Sequence, residues 1–481
     1  MYGLKLHRSR LIIVPKNDNT KVLAAGLLYR ERMCYNIVLY TIIRQKQSER
    51  YVPGIVEGET IMSDFIKREI CEGVDFCNIR DDRFKAGRIS VNLITPLDRS
   101  TAAANALLSW VLTRSCKKYP DITSLSRKLN DLYGAALYPS VLRSGDYQLI
   151  SITASGLDDR YSMDGESVSS ELADLLCSII FDPKLVDGHF DDEDVEQERR
   201  QLLEDIDAEY NDKRLYSIKR CLEIMCRDEL YSIGRCGSRE DVEALSHGSI
   251  VAAWKRLLDN SKVRITMLGS ADPDKAFERF SAFFADKPRK FRVSPVVVPE
   301  VREVKRIVET DEISQSKLVM GYRCKYPENN RERIASTLMS TVLGGTPTSK
   351  LFENVREKQS LCYYCSSMVE NKKGLMLISS GVETENIEKT EKAITDQVEL
   401  LMRGVISDDE FDSAKLALKN AFISVMDNLA AMESFYLNYI LSDQTLSPAE
   451  SVQLLETITK EDVTALASHI KLDTVFSLVG N

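Results

Sequence analysis

The segment 344–364, GGTPTSKLFENVREKQSLCYY, contains residue types that could stabilise charge on a reacting substrate. Two glycines at its start would let the backbone of the chain approach a substrate closely. Arg356 and Tyr363 follow, seven residues apart. A guanidinium and a phenol both donate hydrogen bonds. Donors aimed at an oxygen that gains negative charge help most in the transition state, when that charge is present.

Other catalytic machinery is sparse. The four histidines, His7, His189, His247 and His469, stand more than 50 residues apart, so the chain contains no His-x-x-Glu-His. It also lacks a P-loop, a Gly-x-Ser-x-Gly elbow, a Rossmann fingerprint and a calcium loop. A cysteine nucleophile assisted by a histidine that is distant in sequence stays open as an alternative.

Two smaller motifs have simple interpretations. Cys362 and Cys365 form a Cys-x-x-Cys, but a redox or zinc role needs a second cysteine pair or a thioredoxin-like context, so we interpret it as coincidence. His189 could join Asp191 or Asp192 in a metal site, and the simpler interpretation is a surface histidine before a helix.

The elements around these motifs occur twice. A strand at 88–94 leads to the apolar helix 102–112, and a strand at 316–322 leads to the apolar helix 334–343; both helices have almost no polar face, which predicts burial. Segments 125–138 and 351–364 match in length and apolar positions, and each precedes an alternating strand. Both halves end in a helix and an apolar strand, at 241–269 and 453–480. The pattern predicts two homologous domains.

The mixture of strands and helices lacks strict β-α-β alternation, so we predict the α+β class, with helices packed mainly on one face of each mostly antiparallel sheet. The expected domains are 62–280 and 306–481, joined by a Pro-rich, basic linker at 281–305. A helix at 193–210 would carry Val195, Leu202, Ile206 and Tyr210 on one stripe, and Ser407 and Glu410 would form a capping box for a helix that runs to Met426.

Composition and charge exclude some classes of protein. The hydrophobic content of 43% and charged content of 28% suit a soluble globular chain, and no apolar run approaches the roughly 20 residues that span a bilayer. A net charge of −9 argues against nucleic-acid binding. Eleven scattered cysteines without a secretory signal predict reduced thiols and a cytoplasmic location.

The first 61 residues differ from the rest in charge. They carry 10 Lys+Arg against 5 Asp+Glu, whereas the remainder carries 54 against 68. The residues that follow Met62, SDFIKREICEGVDF, are typical of a natural N-terminus that leads into a strand. Our hypothesis is that native translation begins at Met62; the alternative is a genuine basic extension at 1–61.

With the duplication and the glycine-containing segment together, residues 65–481 resemble the pitrilysin/insulinase metallopeptidases. The likeness is greatest to short bacterial members that work as two subunits, including a group associated with modification of elongation factor P. The resemblance implies two α/β sandwich domains of that type. It also implies a zinc site made by two histidines and a later carboxylate, with a glutamate as general base.

This chain departs from the family at the zinc site. Ala106 and Trp110 would replace the histidines, Ser109 would replace the base, and Glu196 falls near the third ligand. Taken alone, Glu196 is interpreted as a solvated residue on the face of a helix. The resemblance therefore implies no metal or other cofactor in this chain, and zinc in a partner subunit.

The other half of the family's site is retained. The resemblance assigns substrate binding to Gly344, Gly345 and Thr346, and assigns hydrogen bonds to the substrate carbonyl to Arg356 and Tyr363. Alternatively, Arg356 forms a helix salt bridge and Tyr363 packs in a strand, and Tyr364 competes for the tyrosine role. Pro347 after the glycines stiffens the loop and removes a donor, which is a departure from the family.

The expected function is that of a catalytically incomplete subunit of a heterodimeric zinc peptidase. It would bind a peptide or an unfolded segment and supply transition-state contacts to a zinc-bearing partner subunit, without nucleic acid or membrane. The alternative is a non-catalytic scaffold or adaptor derived from a peptidase.

Overall fold

Two mixed sheets, one in each half of the chain, organise the structure. The structure, a computed structural model, describes residues 64–442 and 444–480, so the predicted extension at 1–61 and the proposed start at Met62 lie outside the described residues. Both sheets lie in one compact unit.

The first sheet has six strands in the order β1-β2-β6-β3-β5-β4, and only β2 and β6 pair in parallel. The strands are β1 (Asp64–Cys71), β2 (Val74–Arg80), β3 (Ala86–Pro96), β4 (Ala136–Ser144), β5 (Tyr147–Leu157) and β6 (Lys262–Gly269). The helices of this half are α1 (Arg99–Leu112), α2 (Ile122–Asp131), α3 (Val168–Phe181), α4 (Asp192–Asn211), α5 (Lys213–Met225), α6 (Arg239–Glu243), α7 (His247–Asn260) and α8 (Asp274–Phe284).

The second sheet has the order β7-β11-β8-β10-β9, with β7 and β11 parallel and the other neighbours antiparallel. Its strands are β7 (Lys305–Asp311), β8 (Ser316–Arg323), β9 (Cys362–Glu370), β10 (Leu375–Val382) and β11 (Lys471–Gly480). The helices are α9 (Asn330–Gly344), α10 (Ile387–Met402), α11 (Asp408–Val425), α12 (Leu429–Leu437), α13 (Pro448–Glu456) and α14 (Lys460–Ala467), with a π-helix at Phe352–Glu357.

Each sheet buries one face against helices of its own half. In the first half, side chains such as Val91 of β3, Leu107 of α1 and Leu176 of α3 share one core. In the second half, Met320 of β8 and Leu338 of α9 belong to an equivalent core. Burial of apolar surface on one face of each sheet is the main stabilising contribution.

The opposite faces are covered by an exchange of helices between the halves. α5, from the first half, packs Ile218 and Cys221 against Val319 of β8. Gly321 of β8 lets α5 come close to the second sheet, because a Cβ at position 321 would lie 2.8 Å from Met225 Sδ. Reciprocally, Leu437 of α12 and Ile440 just beyond it pack against the first sheet, in a cluster that also contains Ile94, Tyr147 and Leu149.

A buried ionic cluster joins the two halves where hairpin turns of the two sheets meet. Lys373, in the β9–β10 turn, lies 2.8 Å from Asp146 of the β4–β5 turn and 3.0 Å from Glu229. Arg323 at the end of β8 adds contacts of 2.7 Å to Glu229 and 2.9 Å to Asp473. Because these charges are buried, the loss of one member of the cluster would leave another without a partner. The cluster therefore favours the packing of the two halves in which its ion pairs are formed.

These findings confirm the predicted fold class and several local predictions. The capping box of Ser407 and Glu410 starts α11, and Val195 and Leu202 of α4 are buried as expected. Tyr210, by contrast, is exposed and donates to Asp311. Residues 285–304 form neither helix nor strand, within the predicted linker at 281–305; the bounds 62–280 and 306–481 stay predictions.

Among residues 64–442 and 444–480, no helix is both long and apolar enough to cross a membrane.

Candidate functional site

Arg356 lies on a single π-helical turn that connects α9 to β9. The turn spans Phe352–Glu357, and the Lys358 amide donates to the Glu353 carbonyl at 2.9 Å, five residues back. Buried Val355 fixes the turn to the core, which leaves the neighbouring Arg356 side chain 34% exposed. Its guanidinium lies 4.5 Å from the Phe352 ring centre, and its Nε is 3.5 Å from Glu357. Single π-helical turns occur frequently at functional sites.

Tyr363 is the extra residue of a β-bulge at the start of β9. Its neighbours Cys362 and Tyr364 pair with Val382 and Gly381 of β10, while Tyr363 itself has no partner in this register. The side chain is 58% exposed, and its hydroxyl donates to Glu383 Oε1 at 2.5 Å. That hydrogen bond raises the pKa of Tyr363, because a carboxylate acceptor favours the protonated phenol. Bulges commonly redirect a side chain next to active sites.

Tyr364 occupies a different environment from Tyr363. Its ring lies over Gly381, where a Cβ would approach to 2.4 Å, and the guanidinium of Arg214 on α5 lies 4.5 Å from the ring centre. Burial raises the pKa of Tyr364. The exposed Tyr363 is therefore the tyrosine that is available to a ligand, and Tyr364 packs between the second sheet and α5.

The structure brings Arg356 and Tyr363 to the same end of β9, although no hydrogen bond joins the two side chains in the part of the chain that the structure describes. Arg356 and Tyr363 are related through Cys362, the residue that precedes Tyr363. The Cys365 side chain, the Ser380 hydroxyl and the positive charge of Arg356 lower the pKa of Cys362 to about 7, against the effect of burial. Arg356 therefore lies close enough to the start of β9 to act there electrostatically.

The glycine pair has a packing role. Gly344 is the last residue of α9 and is buried; a Cβ on it would lie 2.6 Å from the Ser367 amide of β9. Gly345 caps the helix, and a Cβ there would lie 2.7 Å from Thr341 Cα. Thr346 is almost buried, with its hydroxyl 3.1 Å from the Thr348 hydroxyl. Substrate contact through Gly344, Gly345 and Thr346 stays a prediction.

The positions predicted to replace the family's zinc ligands and base lie inside the first-half core. Ala106 and Ser109 of α1 are fully buried, and the Ser109 hydroxyl donates to the Ala106 carbonyl at 2.8 Å. Trp110 is partly buried against the same core. Alanine and tryptophan offer no lone pair for zinc, and a hydroxyl bound to its own helix cannot act as the general base. These residues do not fit a catalytic zinc ion.

Glu196 lies on the solvent side of α4 with its side chain 52% exposed. Its carboxylate is 3.3 Å from Arg199 and 3.9 Å from His247. The buried glutamate of α4 is instead Glu198, which lies 3.4 Å from Arg114 just beyond the end of α1; Asp194 lies 3.1 Å from the same arginine. Two residues along a helix turn a side chain by more than half a revolution, so the sequence alone could not settle which glutamate is buried.

Residues 64–442 and 444–480 contain no group of three or more His, Cys, Asp or Glu side chains that could hold a metal ion. His189 forms an isolated β-bridge with Val186 ahead of α4, consistent with the simpler interpretation of this residue. Sequence reasoning missed Glu383 because an acidic residue after a strand has no distinctive spacing.

Comparisons with known proteins find relatives among peptidases and their inactive homologues. A family model described as the peptidase M16 inactive domain matches residues 244–418. The probable inactive metalloprotease YmfF of Bacillus subtilis (strain 168) is 26% identical over 403 residues, which cover 84% of this chain and 95% of the relative. The uncharacterized zinc protease YmxG of the same bacterium is 22% identical over 386 residues, or 77% of this chain and 91% of the relative.

Solved structures show the same fold. A conserved protein from Enterococcus faecalis V583 is 26% identical and superimposes with a TM-score of 0.79 over 87% of this chain and 99% of that protein. A peptidase M16 inactive domain from Pseudomonas fluorescens, at 16% identity, superimposes with a TM-score of 0.71 over 87% and 98%. This chain is thus similar in sequence and in fold to M16 peptidases and their inactive homologues, and it contains no His-x-x-Glu-His.

Proposed function

We propose that this chain is the non-zinc subunit of a two-subunit M16 peptidase, binding peptide substrate and supplying transition-state donors to a zinc-bearing partner. The observation that carries the proposal is the contrast between the two halves. Arg356 and Tyr363 are presented at one end of β9 with exposed side chains, whereas Ala106, Ser109 and Trp110 cannot hold the metal.

Arg356 and Tyr363 suit the stabilisation of an oxyanion. Peptide hydrolysis by a zinc-bound water places negative charge on the carbonyl oxygen of the scissile bond. A guanidinium and a phenol that reach this oxygen from the second subunit stabilise that charge. Arg356 can turn toward a ligand at small cost, because its ion pair with Glu357 is long and partly solvated.

The identities of the relatives support a pair of subunits. Bacillus subtilis has both a relative named as an inactive metalloprotease and a relative named as a zinc protease. A zinc-bearing homologue of similar size would provide the His-x-x-Glu-His that this chain lacks. The peptide would bind in extended form by adding a strand to a sheet edge of that partner, which places its carbonyl groups in a fixed register.

A scaffold or adaptor role is the second candidate. The observation that favours it is the packing of the two halves against each other, in which helices are exchanged and Lys373, Asp146 and Glu229 form a buried cluster. On this view the chain holds a partner in place, and Arg356 and Tyr363 have no chemical role.

Affinity purification of the tagged full chain from its own cells separates the two functions. The first predicts a stoichiometric partner of similar size that carries His-x-x-Glu-His, together with zinc-dependent cleavage of unfolded peptides by the purified complex. Recovery of an unrelated assembly without peptidase activity would overturn it in favour of the scaffold.

A further inference from the structure

Cys362 and Cys365 lie on one face of β9, although they are three residues apart. On a regular strand such residues point to opposite faces. Here Tyr363 is the extra residue of the bulge, so Cys362 pairs with Val382 and Cys365 pairs with Ser380. The two partners are separated by two positions on β10, and both cysteines consequently face the helical core of the second half.

The bulge also shortens the distance between the two cysteines. Two positions along a strand span about 6.8 Å, whereas three would span about 10 Å. The Cα atoms of disulfide-bonded cysteines lie about 4.4–6.8 Å apart, so the bulged strand brings this pair to the upper edge of the range. Both thiols are free, and each shifts the pKa of the other.

The two thiols differ in accessibility and in acidity. Cys362 is partly exposed and Cys365 is buried. The Cys365 side chain, the nearby Ser380 hydroxyl and the Arg356 charge lower the pKa of Cys362, while the Cys362 side chain and burial raise the pKa of Cys365. A partly exposed thiol of lowered pKa beside a buried thiol is the arrangement of an attacking and a resolving cysteine.

We propose that Cys362 and Cys365 form a thiol–disulfide exchange site that reacts with small disulfides such as oxidised glutathione. The Cys362 thiolate attacks one sulfur of the small disulfide, forming a mixed disulfide and releasing one thiolate. Cys365 then loses its proton and attacks the Cys362 sulfur, which releases the second thiolate. The two cysteines lose two electrons and two protons in total, and the small disulfide is reduced to two thiols.

Closure of this disulfide would act on the candidate catalytic tyrosine. The residues enclosed by the bond are Tyr363 and Tyr364, so drawing the two cysteines together alters the bulge that presents Tyr363. The hydrogen bond from Tyr363 to Glu383 depends on that bulge. Oxidation should therefore withdraw the phenol from the substrate, a consequence that rests on the function proposed above.

The exchange site can be tested on the isolated full chain. The reduced protein is incubated with oxidised glutathione at neutral pH, the free thiols are alkylated, and peptides are analysed by mass spectrometry. We expect the peptide that carries both cysteines to lose two hydrogens. A Cys365→Ser variant should instead accumulate a glutathione adduct on Cys362, and a Cys362→Ser variant should leave buried Cys365 unmodified.

Cys71 provides an internal control, because it is also partly exposed but burial raises its pKa. Equal modification of Cys71 and Cys362, or a mixed disulfide that persists in the wild-type chain as it does in Cys365→Ser, would overturn the exchange site. In the peptidase complex, oxidation should lower turnover in a manner reversed by dithiothreitol. Disulfide formation with unchanged turnover would overturn the coupling to Tyr363 alone.

Discussion

The phenolic oxygen of Tyr363 lies 2.5 Å from Glu383 Oε1, so the candidate catalytic phenol is bound to a carboxylate of its own chain. A substrate must replace this acceptor before the phenol can act. Hydrogen bonds to ionised acceptors are stronger than those to neutral ones, so an oxyanion competes with Glu383 better than a ground-state carbonyl does. The exchange would therefore favour the transition state over the bound substrate.

The hydrogen bond to Glu383 can be tested by titration. Glu383→Gln replaces the charged acceptor with a neutral one, so the pKa of Tyr363, which Glu383 raises, should fall toward its ordinary value. The measurement is the phenolate absorbance as a function of pH, with Tyr363→Phe in both backgrounds to assign the signal. A Tyr363 pKa that is the same in the wild-type chain and in the Glu383→Gln variant would contradict the contact.

Lys373 should contribute strongly to stability because its buried ammonium compensates Asp146 and Glu229. Lys373→Ala leaves these carboxylates without their partner, and we expect the free energy of unfolding to fall by about 3–5 kcal/mol. Lys419→Ala is the matched control, since its ion pair with Glu456 is exposed and should contribute at most about 1 kcal/mol. Urea unfolding measures both, and equal effects would refute the role of the buried cluster.

The glycine at the end of α9 should be required by packing. In Gly344→Ala the new methyl group would meet the β9 backbone at 2.6 Å, and we expect a loss of about 1–3 kcal/mol in unfolding free energy. Gly248→Ala is the control, because its Cβ would meet only Ser246 Oγ, at 3.8 Å, within a helix that favours alanine. Thermal unfolding should show destabilisation in the first variant only; a Gly344→Ala chain as stable as wild type would contradict the contact.

Alkylation of Cys362 should depend on pH with a midpoint near its pKa of about 7, because the thiolate is the nucleophile and its fraction rises with pH. Arg356→Gln removes a positive charge that favours the thiolate, so the midpoint should move to higher pH. Cys71, whose pKa is raised by burial, should react more slowly at neutral pH. Identical profiles for Cys362 in wild type and Arg356→Gln would show that Arg356 does not influence the start of β9.

Local patterns in the sequence predicted much of the fold. The nearly uniform apolar character of 102–112 and 334–343 identified the buried helices α1 and α9, and Ser407 with Glu410 identified the start of α11. These features depend on neighbouring residues alone. The exchange of α5 and α12 between the halves could not be predicted, because an amphipathic pattern indicates that a face is buried but not which sheet covers it.

The candidate site was also predictable only in part. Residue types and the resemblance identified Arg356 and Tyr363, but the bulge that exposes Tyr363 depends on how β9 pairs with β10. Cys362 and Cys365 were interpreted as coincidence because the sequence offers neither a second cysteine pair nor a thioredoxin-like context; the bulge that places both on one face of β9 depends on the same pairing and could not be predicted. Glu198 rather than Glu196 is the buried glutamate of α4 because of helix rotation, which single positions do not reveal.

The central claim is that this chain contributes donors to a reaction on a partner's zinc ion. The most direct test is kcat of the complex reconstituted from this chain and a zinc-bearing M16 homologue from the same cells. Arg356→Ala and Tyr363→Phe should each lower kcat by about 10²-fold while the complex still assembles, and Tyr364→Phe should have little effect. Unchanged turnover in both variants within an intact complex would contradict the account.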